Sequence, residues 1–321
     1  MTSAPCMSQS QPFYEPGRCR NLASCRLPAS ALPSDYVPFS LEWTCAYRAL
    51  YASMPTHPLS FSLPNLWAWR EWMELDVRFA DGLAWLRCMK RGSTHLAPVG
   101  DWHSVDWAAL QPKLQAMGRI VQVPEALAQL WQEKLTCTFT VQENRDAWEY
   151  LYTAADLATL AGKRYHMQRN HVNAYIREHG EPDLRTLDSQ AIPDMLALTA
   201  RWHEQHEISD STRAETASLE RLCSRWDEFD LVAEGLYCDG ALAAFAVGYE
   251  LDDQTMAVLY EKAEPGLRGA FPTIASSFSR LALERGKTLV NRAEDMGEEG
   301  MRKSKMLYRP MGFQQMYIVE F

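Results

Sequence analysis

Residues 231–321 carry an ordered series of strand and helix patterns that leaves few folds open. Short runs of apolar and β-branched residues alternate with two helix patterns of 3.6-residue periodicity. In chain order they predict three strands, a helix, a strand, a short helix and a last strand, at 231–238, 241–251, 255–262, 268–285, 288–293, 298–308 and 314–321. An antiparallel meander followed by helix and strand in alternation predicts a mixed sheet flanked by helices.

The first half repeats this order more loosely. Residues 72–90 alternate and break at Asp81-Gly82, which predicts a hairpin, and helix patterns begin at Ser104 and Pro124. With 321 residues the chain is long enough for two cores. We therefore predict the α/β (α+β) class with two similar domains, each a mixed, mostly antiparallel sheet flanked by helices. The predicted division is a flexible leader over 1–35, a first domain over 36–155 and a second over 156–321.

Composition excludes several classes of function. The formal net charge is −9, whereas proteins that coat duplex DNA carry an excess of Lys and Arg, so we expect no duplex DNA partner. No run reaches the roughly 18–20 apolar residues of a transmembrane helix, and the N-terminus has no secretory signal pattern. The eight cysteines form no Cys-x-x-Cys pair, which argues against a zinc site. We expect a cytoplasmic protein with reduced thiols.

The segment GKRYHMQRNHVNAY, residues 162–175, concentrates positive charge. It contains three cations and no acid, and it is predicted to be helical. On such a helix Asn170 and Asn173 share a face with His166, whereas Arg164 and His171 lie on another. This pattern fits a site for an anion or a nucleotide end. A solvated basic face is the alternative, and spacing alone favours it.

A second concentration of charge follows the predicted strand 288–293. Asn291, Glu294 and Asp295 lie at its carboxyl end, where α/β sheets commonly place reactive groups. Arg302, Lys305 and Arg309 then recur at i, i+3 and i+7, which forms a basic stripe on the short helix. One carboxylate held as a base would serve catalysis. Ion pairing between carboxylates and stripe is the alternative, and generic spacing favours it.

These two motifs, with WEYLY at 148–152 and LRGAFPTIASSF at 267–278, resemble a bacterial family related to the C-terminal catalytic domain of phosphatidylglycerol lysyltransferase. The resemblance covers about residues 36–321. It implies tandem acyltransferase domains of the GNAT fold, shared with the Fem-type aminoacyltransferases. Those relatives transfer an aminoacyl group from its tRNA ester to an amine or hydroxyl acceptor. The implied partners are an aminoacyl-tRNA acceptor end and a lipid or small-molecule acceptor. A lipid acceptor would be reached by peripheral membrane contact.

The resemblance also implies roles for the charged residues. It favours Glu294, ahead of Asp295, as the catalytic base, with Asn291 beside them. The residues that it implies for binding the donor or its phosphates are Arg164, Arg169, Asn170, His171, Asn173, Arg268, Gly269, Arg302 and Lys305.

The start of the helix at 268–285 bears on the donor. GNAT enzymes that use acetyl-CoA hold its pyrophosphate on a loop of small residues with free backbone N–H groups. Here Arg268 and Gly269 are present, but Phe271 and Thr273 are larger, and Pro272 has no N–H. We therefore predict no cofactor and weak binding of CoA. The alternatives are a CoA-dependent N-acyltransferase, with acetyl-CoA or another acyl-CoA as donor, and a non-catalytic binding module.

Two further patterns do not predict a site. His203 and His206 are one residue too close together for the zinc-protease motif, so His206 is interpreted as a structural histidine and no metal is predicted. Asp252 and Asp253 fall between two predicted strands and are interpreted as a solvated turn.

Overall fold

The computed structural model describes residues 32–90, 92–204 and 210–321. These residues form two seven-stranded sheets with helices packed against them. The predicted class is therefore confirmed: both sheets are mixed and mostly antiparallel. Residues 1–31 of the predicted leader lie outside the described residues.

The strands are β1 Val37–Pro38, β2 Leu75–Ala80, β3 Leu83–Cys88, β4 Thr94–Leu96, β5 Arg119–Pro124, β6 Thr140–Glu143, β7 Glu149–Thr153, β8 Asp183–Thr186, β9 Leu231–Cys238, β10 Ala241–Glu250, β11 Thr255–Ala263, β12 Leu289–Asn291, β13 Gly312–Gln314 and β14 Met316–Glu320. The α-helices are α1 Thr44–Ala52, α2 Leu63–Met73, α3 Trp107–Met117, α4 Glu125–Lys134, α5 Ala154–Thr159, α6 His166–His179, α7 Ile192–Glu204, α8 Asp210–Cys223, α9 Ala270–Glu284 and α10 Glu299–Leu307.

The first sheet has the order β1-β2-β3-β4-β5-β14-β6. Its β2–β3 hairpin turns at Asp81 and Gly82, both with positive φ, which confirms the predicted turn. Only β4 and β5 among its described strands pair in parallel, and α3 connects them. The cap of α3 is Asp106, whose carboxylate accepts from Ala109 N, so the predicted start at Ser104 is wrong. Ser104 instead ends a separate 3₁₀ turn.

The second sheet has the order β13-β7-β12-β11-β10-β9-β8. The meander β9–β10–β11 is antiparallel, and its first turn contains Asp239 and Gly240 as predicted. β11 and β12 pair in parallel, and α9 crosses between them. The apolar side of α9 is buried, with Ile274 and Phe278 almost inaccessible to solvent. The element order is the one predicted for residues 231–321, except that the predicted last strand is divided into β13 in this sheet and β14 in the first sheet.

Each half of the chain places one strand in the sheet of the other half. β7, which precedes residue 155, pairs with β12 and β13 in the second sheet. The last strand, β14, pairs with β5 and β6 in the first sheet. A boundary at residue 155 alone therefore does not separate the sheets, and the domain division stays a prediction.

The core of the first half is rich in tryptophan. Trp85, Trp102, Trp107 and Trp131 are each at most 2% exposed. Among the described cysteines, Cys45 is disulfide-bonded, so the expectation of reduced thiols is wrong there, whereas the other four are free. None of the described helices has the length and apolar character that crossing a bilayer requires.

Candidate active site

The parallel pair of the second sheet separates after three residue positions. β11 and β12 pair from Thr255↔Leu289 to Ala257↔Asn291, and β11 then continues to Ala263 without β12. The chain beyond β12 stays beside β7, since Tyr150 N donates to Ala293 O. Ala293 has φ of 54°, a left-handed conformation that is costly for a residue other than glycine. The loop after Ala293 contains both carboxylates of the predicted site.

Glu294 is half-buried in this loop. Its carboxylate makes no hydrogen bond or ion pair with any residue that the structure describes. The ammonium group of Lys305, from α10, donates to the backbone oxygens of Glu294, at 2.6 Å, and of Arg292. Burial lowers the pKa of Lys305 to about 8, although the negative charge of Glu294 opposes the shift. The loop thus holds an unpaired carboxylate next to a partly desolvated cation.

Asp295 has the opposite environment. Its side chain is fully buried, and Arg302 donates to both carboxylate oxygens, at 2.8 and 2.9 Å. Arg145, the Tyr150 hydroxyl and Gly297 N donate to it as well. Burial raises its pKa, but the hydrogen bonds from Arg302 and Tyr150 outweigh burial and hold the pKa at about 2. Arg302 also binds Asp146. The geometry favours the ion-pair alternative for Asp295 and Arg302.

Asn291 lies against a carboxylate that sequence reasoning did not select. Its side-chain amide donates to Glu149 Oε2 at 2.6 Å, and Glu149 also accepts from the backbone N–H groups of Leu59 and Ser60. Glu149 is fully buried. Burial raises its pKa to about 7, and the charge of Glu294 adds to the shift. A signal did exist, because Glu149 interrupts the apolar strand WEYLY.

The motif 162–175 lies next to α10. Gln168, buried in α6, donates to Leu307 O at 2.8 Å. Arg169 donates to Leu160 O and Gly162 O, and these hydrogen bonds stabilise the C-terminal end of α5. Arg164 pairs with Asp156. The structure therefore joins the two motifs through α6 and α10, but neither arginine contacts the Glu294 loop.

The remaining polar residues of α6 lie on its exposed side. Asn170 contacts the ring of His166 at 3.3 Å, and no side-chain hydrogen bond joins His171 or Asn173 to any other described residue. These groups are available to a ligand that approaches from solvent. Nothing joins them to Glu294 directly.

α6 packs against the glycine that caps the N-terminus of α9. Gly269, with φ of 87°, caps α9, and a Cβ atom at this position would overlap the carbonyl oxygen of His171. Ala270 N already donates to Leu267 O. Arg268 lies outside this contact, 3.9 Å from Glu178. A carbonyl oxygen therefore faces the helix end at which a pyrophosphate would need free N–H groups.

A cavity of about 510 Å³ opens between the end of β11 and the start of α9. Its lining residues include Trp202, Glu261, Lys262, Glu264, Leu267 and Phe271. Arg292 pairs with Glu261 at 2.5 Å and packs over the rings of Phe271 and Tyr308. Its Nη1 atom is buried without a hydrogen-bond partner among the described residues.

No metal centre is found in the described part of the chain, where no three His, Cys, Asp or Glu side chains form a ligand set. His203 contacts the Thr216 hydroxyl. His206 lies outside the described residues. Asp252 accepts from Gln254 N and Thr255 N within its turn, and Asp253 is exposed. Asp252 and Asp253 therefore lie in the turn between β10 and β11, as predicted.

Known structures establish the fold. A conserved protein of unknown function from Bacteroides thetaiotaomicron superposes with a TM-score of 0.80 at 24% identity, over 90% of this chain and 99% of that one. L-PGS from Bacillus licheniformis superposes at 0.59 with 11% identity, over 86% and 90% of the two chains. FemX gives 0.58 with 11% identity, over 89% and 95%. The predicted likeness to the lysyltransferase and Fem folds, with its GNAT-like domains, is confirmed.

Sequence comparison gives the family. A curated relative, the uncharacterized protein MYCGA3080 of Mycoplasmoides gallisepticum, is 23% identical over 173 residues, which are 53% of this chain. The chain thus spans 55% of the length of that relative. The family model described as phosphatidylglycerol lysyltransferase, C-terminal, matches residues 51–320. The match covers most of the sequence, and the chain therefore belongs to the family of the phosphatidylglycerol lysyltransferase C-terminal domain.

Proposed function

We propose that this protein is an aminoacyl transferase that moves an aminoacyl group from an aminoacyl-tRNA-type ester to an amine or hydroxyl acceptor. The family and the fold support transfer chemistry. The observation that carries the proposal is the half-buried Glu294 carboxylate, which has no hydrogen-bond or ion-pair partner among the described residues, in a loop whose backbone oxygens bind the Lys305 ammonium. A base that is already committed to ion pairs would be a poor proton acceptor, whereas Glu294 is uncommitted.

The reaction balances with Glu294 as base. Glu294 accepts the proton of the acceptor O–H or N–H group as the acceptor oxygen or nitrogen attacks the ester carbonyl carbon. The bond between that carbon and the ribose oxygen then breaks, and the proton passes from Glu294 to the departing oxygen. The positive charge of Lys305 stabilises the negative charge that develops on the carbonyl oxygen. Lys305 also fixes the loop, because it binds two of its backbone oxygens.

The first turn of α9 supports a donor other than acyl-CoA. The His171 carbonyl lies against Gly269, and Pro272 lacks an N–H group. The exposed side chains of Asn170, His171 and Asn173 on α6 suit the acceptor end of a tRNA, which is recognised through single-stranded bases and phosphates. We assign the reaction to the cytoplasm, where aminoacyl-tRNA is made, without a bound cofactor.

The test is a transfer assay with a matched pair of variants. Purified protein is given tRNA charged with labelled amino acids, together with phosphatidylglycerol vesicles or with small amines, and labelled product is measured. We expect Glu294→Gln to lower turnover about 10²–10⁴-fold, as for loss of a general base. Glu299→Gln, the same change on an exposed side chain of α10, should retain the parent rate. Full turnover by Glu294→Gln would contradict the assignment.

Donor binding separates the alternatives. Calorimetry should detect a non-hydrolysable aminoacyl-tRNA mimic and no acetyl-CoA binding at micromolar concentrations. Tight binding of acetyl-CoA with acyl transfer would establish the CoA-dependent N-acyltransferase instead. Binding of the mimic with no turnover by the parent protein, for any amino acid or acceptor, would support the non-catalytic module.

A further inference from the structure

A buried carboxylate, that of Glu149, links the first half of the chain to the Glu294 loop. Its Oε1 atom accepts from Ser60 N at 2.8 Å. Its Oε2 atom accepts from Leu59 N at 2.8 Å and from the side-chain amide of Asn291 at 2.6 Å. Leu59 and Ser60 begin a 3₁₀ turn of the first half, whereas Asn291 ends β12 of the second sheet. One side chain thus binds two regions that are far apart in sequence.

Asn291 extends this contact to the backbone of the loop. Its Nδ2 atom donates to Glu149, and its Oδ1 atom accepts from Ala293 N at 3.0 Å. A flipped amide would place Oδ1 against the carboxylate and Nδ2 against an N–H group, so the two contacts fix its orientation. Ala293 has the left-handed φ of 54°, a conformation that surrounding contacts must maintain. Since Ala293 directly precedes Glu294, any change in this φ would turn the Glu294 side chain.

Stability alone does not account for a carboxylate at this place. Glu149 is fully buried and forms no ion pair with a cation among the described residues. Burial raises its pKa to about 7, and the charge of Glu294 adds to the shift, so the two carboxylates interact across the turn. Burying a charge without a cation costs several kcal/mol, of which its hydrogen bonds recover only a part.

We propose that Glu149 is a positioning residue for Glu294. The first half holds the Glu149 carboxylate, which holds Asn291, and Asn291 maintains the left-handed turn at Ala293. The turn directs the Glu294 carboxylate toward the acceptor. Glu149 and Asn291 are 0% and 1% exposed, so they act through the loop and not by touching a substrate. The inference rests on the proposed transfer reaction for its effect on turnover.

The alternative is a carboxylate that only joins the two sheets. Changing such a residue would lower the free energy of unfolding but would leave the turnover of the folded protein as it was. The contacts of Asn291 favour positioning, because the amide that binds Glu149 also binds the backbone one residue before Glu294.

Steady-state kinetics with matched variants tests the inference. Glu149→Gln keeps the shape of the side chain but places an NH₂ group, a donor, against at least one of the N–H groups that the carboxylate accepts. We expect kcat to fall about 10–100-fold, as for a reacting group displaced by about 1 Å, and KM to stay within about twofold of the parent. Glu234→Gln, the same change at a half-buried acid of β9, should retain the parent values.

A double-mutant cycle tests the path through Asn291. Asn291→Ala should lower kcat about as much as Glu149→Gln does. The double variant should lose little more than the larger single loss, because both changes break the same path. Losses that multiply would show that Glu149 does not act through Asn291. Parent kcat per folded molecule in Glu149→Gln would leave only the structural role and overturn the inference.

Hydrogen exchange of the Ala293 amide, followed by NMR, separates this inference from the proposed function. The measurement needs no substrate. Glu149→Gln should speed exchange of this amide about tenfold, because its acceptor is no longer held, whereas Glu234→Gln should leave it unchanged. A parent without transfer activity would refute the proposed function, and faster exchange in Glu149→Gln would still support the holding of the turn. Unchanged exchange in Glu149→Gln would overturn the inference.

Discussion

The two sheets share a parallel crossover, but different types of residue pack around it. Each contains one parallel pair crossed by a helix, β4–β5 with α3 in the first and β11–β12 with α9 in the second. Beside the first pair, buried indoles fill the space, and the rings of Trp107 and Trp131 are 5.4 Å apart. Where the second pair separates, charged side chains make the contacts: Arg292 pairs with Glu261, and Lys305 binds the backbone oxygens of Arg292 and Glu294.

Buried charge is confined to the second sheet and its connections. The most buried charged residues within the described part of the chain include Glu149, Lys262, Lys287 and Asp295, and the paired side chains of Arg292 and Glu261 are 9% and 8% exposed. Burying an ion costs several kcal/mol unless partners compensate, so a fold gains little stability from such residues. The first half shows that this topology closes with apolar residues alone. We infer that the second half retains charge for its chemistry, and that the first half supports it.

The largest effect should come from the most buried of these charges. Asp295→Asn leaves Arg145 and Arg302 facing a neutral amide, and we expect the free energy of unfolding to fall by about 3–5 kcal/mol. Urea denaturation measures it. Asp146→Asn removes a half-exposed partner of the same Arg302 and should cost at most about 1 kcal/mol. Equal losses in the two variants would mean that burial does not distinguish these carboxylates.

A loss of similar size is expected in the first sheet, but without a loss of activity. Trp107→Ala opens a cavity in the indole core and should lower the free energy of unfolding by about 3–5 kcal/mol. Turnover measured well below the melting temperature should stay within about twofold of the parent, because no indole contacts the Glu294 loop. A large fall in turnover of the folded variant would show that the first half does more than support the second.

The sequence predicted the parts of this comparison that depend on local pattern. The meander β9–β11, helix α9 and the Asp81-Gly82 hairpin all follow from periodicity and turn residues. The short polar strand β8 and the helices α1 and α2 were not predicted, because their alternation is weak. The exchange of β7 and β14 between sheets was not predictable either, since pairing depends on contacts far apart in sequence.

The candidate site was predictable only in part, for the same reason. Glu294 and Lys305 could be selected because strand end and helix spacing are local features. Glu149 gave a local signal as the one acid in an apolar strand, but its partners Leu59 and Asn291 are 90 and 142 residues away in sequence and could not be predicted. Whether Asp295 is a base or an ion-pair partner depended on Arg145 and Tyr150, which come from the turn before β7 and from β7 itself.

The two crossing helices α3 and α9 begin differently, and we expect a smaller loss of stability from a substitution that tests this difference. α3 begins at an ordinary Asp106 cap, whereas α9 begins at Gly269 against the His171 carbonyl. Gly269→Ala should destabilise the protein by about 1–3 kcal/mol more than Gly286→Ala does. Gly286 has a similar positive φ but no atom within 4 Å of an added Cβ, so the control isolates the steric overlap. Thermal unfolding measures both, and equal losses would contradict close packing of α6 on α9.

The smallest expected effect is a pH dependence that the indole-filled half cannot produce. Burial lowers the pKa of Lys305 to about 8, so above this pH the ammonium loses its proton and its charge beside Glu294. Turnover should then fall about tenfold per pH unit above 8. Lys305→Arg keeps a cation at all these pH values and should move the decline upward, at whatever basal rate it retains. Lys303→Arg, on the exposed face of α10, should leave the profile unchanged. A parent profile that stays flat to pH 10 would show that the charge of Lys305 is not required for transfer.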